Sequence, residues 1–311
     1  MANFINAEMD AVPNQFIKTF DNGVSLYLKR EDLLHPEVSG NKFRKLKYNI
    51  AEAKKQKKQA ILTFGGAFSN HIAATAAAGK IAKLKTIGII RGEELGINLP
   101  KTLKFNPTLN FANSCGMELK FISREDYKLK ENPGFIQDLR AGSGDFYLLP
   151  EGGANALAIK GCGEILTPAD KNFDYICTSV GTGGTVAGII NSSVNHQQVL
   201  GFSALKGEFL ASEVKKNVNK ENWKIITNYH FGGYAKVNAE LIHFINHFKA
   251  EYDILLDPVY TGKLIFGIFA MIKNGAFPTN SQILAVHTGG LQGIPGMNRR
   301  LKNKNLPLID V

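Results

Sequence analysis

Cysteine is scarce and unpaired here: Cys115, Cys162 and Cys177 are the only three in 311 residues, and no CxxC occurs. An odd, scattered set argues against a disulfide framework or a thiolate metal site, and for reduced thiols in a reducing compartment. Long apolar runs are missing too. The longest strongly apolar stretch, LIFGIFAMI (264–272), is too short to span a bilayer, so no membrane partner is expected. The N-terminal MANFINAEMD lacks the basic-then-apolar pattern of a signal peptide, which makes a cytoplasmic location the expectation. Acidic residues are outnumbered, 27 against 37 Lys and Arg, for a net charge of +10. That balance permits anionic partners. The lysines are dispersed, however, and the densest run, KKQKKQ (54–59), reads as a solvated helix face. No nucleic-acid-reading module accompanies it, so the expected partner is a small anionic molecule and no nucleic acid.

What is present points to a soluble α/β enzyme: 44% hydrophobic residues, 21% charged and 31 glycines. Short β-rich runs alternate with helical patterns. The strand candidates are 60–64, 85–90, 117–122, 145–149, 173–180, 198–202, 223–227 and 282–286. Between them lie helical segments such as HIAATAAAGKIA, ALAIKGCGEIL, TVAGIINSS and NAELIHFINHFKAEYD. The alternation predicts open parallel sheets covered by helices. There is no internal repeat and no Pro/Ser linker, so any division into lobes must come from topology, with the chain crossing near 42–45 and 150–153.

The stretch SGNKFRKLKYN (39–49) places Lys42 where a helix starts, at the positive end of its dipole, where an ammonium is disfavoured. Phe43, Leu46, Ile50 and Ala53 form the apolar stripe. At 100° per residue Lys42 lies roughly 60° from its centre and Arg44 about 140° away, which predicts Lys42 as the most inward cation of the cluster. An amine pushed inward there loses its proton more easily and can act as a nucleophile or Schiff-base former. A lysine snorkelling to the surface fits the stretch equally.

Three loops at strand ends are rich in small or hydroxyl residues. In SVGTGGTVAG (179–188), Gly181, Thr182, Gly183 and Gly184 precede a helix starting near Thr185, either as a phosphate cradle or as a tight turn. The dinucleotide spacing fails at Val186, and no Lys-Ser/Thr pair follows for a P-loop. In TFGGAFSNHIAATAAA (63–78), Ser69, Asn70 and His71 occupy a helix N-terminus, suited to a cap or to a carboxylate. DPVYTGK (257–263) and AVHTGGLQG (285–293) add hydroxyls, a phenol and glycines. HFINH (243–247) lacks the Glu of a zinc-binding HExxH, and no metal is expected. The acids of KRED (29–32) adjoin Lys and Arg and read as structural ion pairs.

Taken in order, LKREDLLHPEVSGNKFRKL, FGGAFSNH, EGGAN, SVGTGGT, DPVYTGK and HTGGLQG resemble the 1-aminocyclopropane-1-carboxylate deaminase/D-cysteine desulfhydrase family. These are tryptophan-synthase-β-like enzymes of fold type II that use pyridoxal 5′-phosphate. The matching segments run from 28 to 293. The cysteine synthase branch carries a Thr-Gly-Ser before its lysine, which SGNKFRKL lacks. The resemblance implies two α/β lobes, a small one over 45–150 and a large one from 1–44 and 151–311, and a homodimer.

It further implies that Lys42 anchors the cofactor as a Schiff base, that Lys45 and the Gly181–Thr185 loop hold its phosphate, and that Asn70 meets its 3′-oxygen. Ser69, with Asn70 and His71, would hold the substrate. Thr261 and Thr288 would lie near the pyridine nitrogen, with Tyr260 beside the ring and Tyr234 close to the substrate. Thr261 stands where the resemblance places Glu in cyclopropane-opening enzymes, and His71 where characterised members carry Gln. A neutral partner leaves the ring nitrogen unprotonated and favours β-elimination. The expected reaction is desulfhydrase-like, D-cysteine to pyruvate, ammonia and sulfide. The alternatives are cyclopropane-ring deamination or another ammonia-lyase, and, from other classes, a cofactor- or anion-binding protein with little turnover.

Overall fold

The structure, a computed structural model, describes residues 12–311; the N-terminal stretch MANFINAEMD lies outside them. Ten strands form two sheets. They are β1 (Asn14–Thr19), β2 (Ser25–Lys29), β3 (Ala60–Gly66), β4 (Lys85–Arg91), β5 (Glu118–Ile122), β6 (Tyr147–Leu149), β7 (Tyr175–Val180), β8 (Gln198–Ser203), β9 (Trp223–Ile226) and β10 (Gln282–Val286). The six-stranded sheet has the order β1-β2-β10-β7-β8-β9 and the four-stranded sheet the order β5-β4-β3-β6. Every pair is parallel except β1 with β2. Parallel strands are covered on both faces, which is why β3 and β7 read as nearly unbroken buried runs.

All eight predicted strands appear. The β1–β2 hairpin was not foreseen, although its turn carries a sequence signal. Gly23 has φ +77 and the Asn22 side chain accepts from the Val24 amide at 3.2 Å. An Asn-Gly pair is the usual hairpin punctuation.

Helix α1 (Asn41–Lys55) lies between the layers. Its predicted stripe, Phe43, Leu46, Ile50 and Ala53, is buried against Ile61, Ile72 and Leu149 of the four-stranded layer. The opposite face meets the helix Ala156–Cys162 so closely that a Cβ on Gly161 would sit 2.0 Å from the Arg44 carbonyl oxygen. This second cover corrects the ranking of cations along α1. Arg44 and Lys45 are 5% and 3% exposed and Lys42 is only half-buried, so Lys42 is not the most inward cation of the cluster. Arg44 is buried because Glu31 accepts two hydrogen bonds from it, at 2.8 and 2.9 Å. The other acids of KRED-type pairing behave likewise: Asp32 pairs with Arg30 and Lys29 with Asp170. KKQKKQ is largely exposed. His243 and His247 of HFINH are exposed as well, and no metal-holding cluster occurs among the described residues. Among them, no helix is long and apolar enough to cross a membrane.

Candidate active site

The carboxyl ends of β3, β4, β6, β7 and β10 open on one cavity of about 580 Å³, the position at which parallel α/β sheets collect ligands.

At its base, α1 begins after Gly40, which has φ +62. A Cβ there would lie 2.0 Å from the Thr288 carbonyl oxygen, so only glycine lets the Ser-Gly-Asn turn press against the His-Thr-Gly-Gly turn. Asn41 ties the junction together: its amide donates to Thr288 at 3.4 Å and its side chain to the Thr185 hydroxyl at 2.8 Å. This delivers Lys42 into the cavity, where Nζ donates to Asn41 Oδ1 at 3.1 Å. Burial, reinforced by the neighbouring Lys45 cation, brings the Lys42 pKa down from 10.5 to about 7, while Asp257 pulls the other way. Lys42 is an amine poised to be neutral near physiological pH.

Lys45, one turn on, is also held down by burial. Its ammonium donates to the Gly152 carbonyl at 3.1 Å and lies 3.6 Å from where a Cβ on Gly184 would be. Gly184 opens the helix Gly184–Ser192 behind Gly183, whose φ is +83. A Cβ on Gly181 would approach the Tyr260 ring to 3.1 Å. The glycines therefore clear a concave turn of amides at a helix N-terminus, with a buried cation facing it. An anion such as a phosphate fits that set and relieves it. Thr182 is exposed at the rim and Thr185 is buried.

On the facing layer Ser69 caps helix α2 (Asn70–Ala82), its Oγ accepting from the amides of His71 and Ile72 at 3.2 and 3.4 Å. These bonds occupy its acceptor side and leave its O–H to donate into the cavity, so capping and ligand binding do not compete. Asn70 lines the cavity, and among the described residues its side-chain amide makes no hydrogen bond. Gly290, at φ +96, makes room for it; a Cβ there would come within 2.6 Å of Asn70 Nδ2. His71 is buried. The Thr63 hydroxyl donates to the Leu149 carbonyl at 2.9 Å, so its 2.8 Å contact with His71 Nε2 requires an Nε2–H. Nδ1 is then an acceptor, and it has no partner among the described residues. Burial and the Lys42 and Lys45 cations hold the imidazole well below 6.5, hence neutral.

One expected residue is misplaced. Thr261 does not face the cavity. It is fully buried, donates to Asp257 Oδ2 at 2.8 Å and accepts from the Asp257 amide at 2.9 Å. Asp257 also accepts from the amides of Val259, Tyr260 and Thr261, so this carboxylate organises the start of the helix Thr261–Lys273 and turns Thr261 inward. Thr288 does line the cavity, 3.4 Å from the Ser179 hydroxyl. Tyr260 is enclosed, and burial pushes its phenol well above the usual range. Tyr234 meets it edge to face at 6.3 Å between ring centroids.

Sequence reasoning missed Ser179, Asp257, Arg91, Glu151 and Arg300, all in the cavity wall. Arg91 ends β4 and Glu151 follows β6, so the strand-end rule could have found them. Asp257 lay inside a motif already singled out. Arg300, on the C-terminal helix Ile294–Lys302, carried no local signal.

Residues 15–289 match the family described as pyridoxal-phosphate dependent enzyme. A Thermotoga maritima protein, provisionally named a 1-aminocyclopropane-1-carboxylate deaminase, is 31% identical over 96% of this chain and 99% of its own length. The mitochondrial bifunctional D-cysteine desulfhydrase/1-aminocyclopropane-1-carboxylate deaminase of Arabidopsis thaliana is 32% identical over 88% of this chain and 74% of its own. A crystal structure of an ACC deaminase homologue superimposes with a TM-score of 0.79 at 26% identity, covering 96% of this chain and 97% of that one. The chain belongs to the pyridoxal-phosphate-dependent 1-aminocyclopropane-1-carboxylate deaminase/D-cysteine desulfhydrase family, and its cofactor is pyridoxal 5′-phosphate.

Proposed function

We propose that this enzyme eliminates the β-substituent of a small amino acid and deaminates it. The leading case is D-cysteine plus water giving pyruvate, ammonia and hydrogen sulfide. One observation carries the reading: Lys42, an amine with a pKa of about 7, sits in the cavity beside an anion cradle and a hydroxyl-lined helix N-terminus.

When bound, pyridoxal phosphate supplies an electron sink that acidifies the substrate Cα–H. The chain's own groups do the rest. Lys42 is the attachment amine and, when free, the base that takes the Cα proton. Lys45 and the loop of Gly181, Thr182, Gly183, Gly184 and Thr185 hold the phosphate, and Asn70 donates to the 3′-oxygen. The Ser69 O–H orients the substrate carboxylate, with the neutral His71 offering Nδ1 as an acceptor. Tyr260 flanks the ring and Tyr234 covers the substrate. Thr288, backed by Ser179, would be the neutral group facing the ring nitrogen, the role expected of Thr261 as well. Residues 45–150 act as the small lobe and 1–44 with 151–311 as the large one, a reading supported by the segregation of β3–β6 from the other strands.

Cyclopropane-ring opening is the second reading, favoured by the names of the relatives; the Arabidopsis protein bears both activities in its name. The test measures sulfide and pyruvate from D-cysteine, and 2-oxobutyrate from the cyclopropane amino acid. Faster sulfide release supports elimination, and preferential 2-oxobutyrate formation supports the second reading. Lys42→Ala should abolish turnover and the absorbance that borohydride bleaches in wild type. Undiminished turnover in that variant would sink both readings.

A further inference from the structure

Six charged side chains line the cavity, and their pairing is uneven. Asp257 is saturated by three backbone amides and the Thr261 hydroxyl. Glu151 accepts from the Tyr127 hydroxyl at 2.8 Å and pairs with Lys130 at 3.6 Å. Both carboxylates are thus matched within the protein. Among the cations, Lys42 and Lys45 are committed to the cofactor in the reading above. Arg91 and Arg300 remain.

Among the described residues neither guanidinium forms an ion pair. Arg91 lies 5.4 Å over the Tyr127 ring, and its Nη2 is 3.7 Å from where a Cβ on Gly66 would be, at the loop leading to Ser69. Its charge reaches Tyr234. Arg300 donates a single hydrogen bond, to the Ala235 carbonyl at 3.1 Å, next to Tyr234. A guanidinium has five N–H donors in a planar fork suited to two-oxygen anions, so most of this capacity is unspent. Arg91 is exposed and Arg300 half-buried, and the two side chains adjoin the segments that carry Ser69 and Tyr234.

We infer that the outer part of the cavity binds an amino-acid side chain bearing a second negative group, a carboxylate or sulfonate, with Arg91 and Arg300 as its specificity-determining residues. The inference rests on the cofactor reading above and parts from D-cysteine as the preferred substrate: it names an anionic amino acid as what the outer cavity selects. Charge-assisted bonds to a guanidinium are about twice as strong as neutral ones, so the discrimination should be large enough to read by direct binding.

The experiment follows the absorbance of the bound cofactor in the holoenzyme while aspartate, 3-sulfoalanine, alanine and serine are titrated, each as D and L forms. At low salt, aspartate or 3-sulfoalanine of one configuration should bind about tenfold or more tightly than alanine or serine of that configuration. Which anion binds better separates carboxylate from sulfonate. Arg91→Met and Arg300→Met should each lose at least about fivefold for the anionic ligand and change the affinity for alanine by less than about twofold. Equal wild-type affinities for alanine and both anions would overturn the inference, and this comparison needs no variant. So would variants that weaken neutral and anionic ligands alike. A protein lacking the borohydride-sensitive absorbance overturns the cofactor reading itself, an outcome distinct from a yellow protein without anion preference.

Discussion

At the scale of single residues, Lys42 joins a sequence anomaly to a physical consequence. A lysine whose pKa falls from 10.5 to about 7 on folding is a charged group the native state resists. Below about pH 7 both folded and unfolded chains hold the proton, and the folded state bears the full desolvation cost. Between 7 and 10.5 the unfolded chain binds more protons than the native one, so native stability rises with pH across that window. Cofactor-free wild type should therefore gain on Lys42→Met as pH climbs from 7 to 9, by on the order of 2 kcal/mol from this group. Urea melts of the two apo-proteins at pH 6, 7, 8 and 9 measure it. A constant difference between them across that range would mean that Lys42 keeps an ordinary pKa. The anomaly at Lys42 was legible because helix polarity and the start of α1 are both local. The burial of Arg44 was not, since the helix that covers it lies more than a hundred residues downstream. Thr261 stands between these cases: Asp257 is only four residues away, but its grip on Thr261 depends on the backbone bend at Pro258–Tyr260.

Among the elements, the parallel strands were the most legible, because two-sided burial writes itself as continuous apolar runs. The loops around the cavity were legible as composition and not as connections. Lys263 shows the difference. It sits in a motif noticed in the sequence, yet its partners are the carbonyl oxygens of His230 and Gly233, each at 2.8 Å. Those bonds close a loop in which Phe231, Gly232, Gly233 and Ala235 all have positive φ and which presents Tyr234 to the cavity. Non-glycine residues in that region carry strain, which persists only where the surroundings impose it. Lys263→Met keeps the apolar stem and removes both donors, so the loop should relax. Tryptic cleavage at Lys236 should speed up by about tenfold, corresponding to roughly 1.4 kcal/mol of local opening. KM should rise more than kcat falls, since in the proposed function Tyr234 covers the substrate and Lys42 alone is the attachment amine. Cleavage at the wild-type rate would show that the loop holds itself.

For the molecule as a whole, the question is what fixes α1 between its two layers, since the cavity exists only while they stay in register. Apolar packing joins α1 to the four-stranded layer through Phe43, Leu46 and Ile50. Toward the six-stranded sheet the ties are polar: Asn41 bonds to Thr288 and Thr185, and Glu31, just beyond the end of β2, is fully buried and holds the buried Arg44 by two hydrogen bonds. Glu164 adds a weaker contact to Arg44 at 3.9 Å. Such a pair gives little net stability over an apolar substitute, but leaving one partner uncompensated costs about 3–5 kcal/mol. Glu31→Gln should therefore lower stability by that order, with Arg44 left charged in a closed site. Pairing it with Arg44→Met should restore much of the loss, because the stranded charge is gone. Even so, the double variant would lose the tie between α1 and the β2 end, and Lys42, two residues before Arg44, would be held less firmly. The diagnostic result is a double variant that melts near wild type yet turns over more slowly, read from thermal denaturation beside kcat. A double variant as unstable as Glu31→Gln would instead mean that the pair supplies stability of its own, with α1 seated by charge rather than merely registered by it.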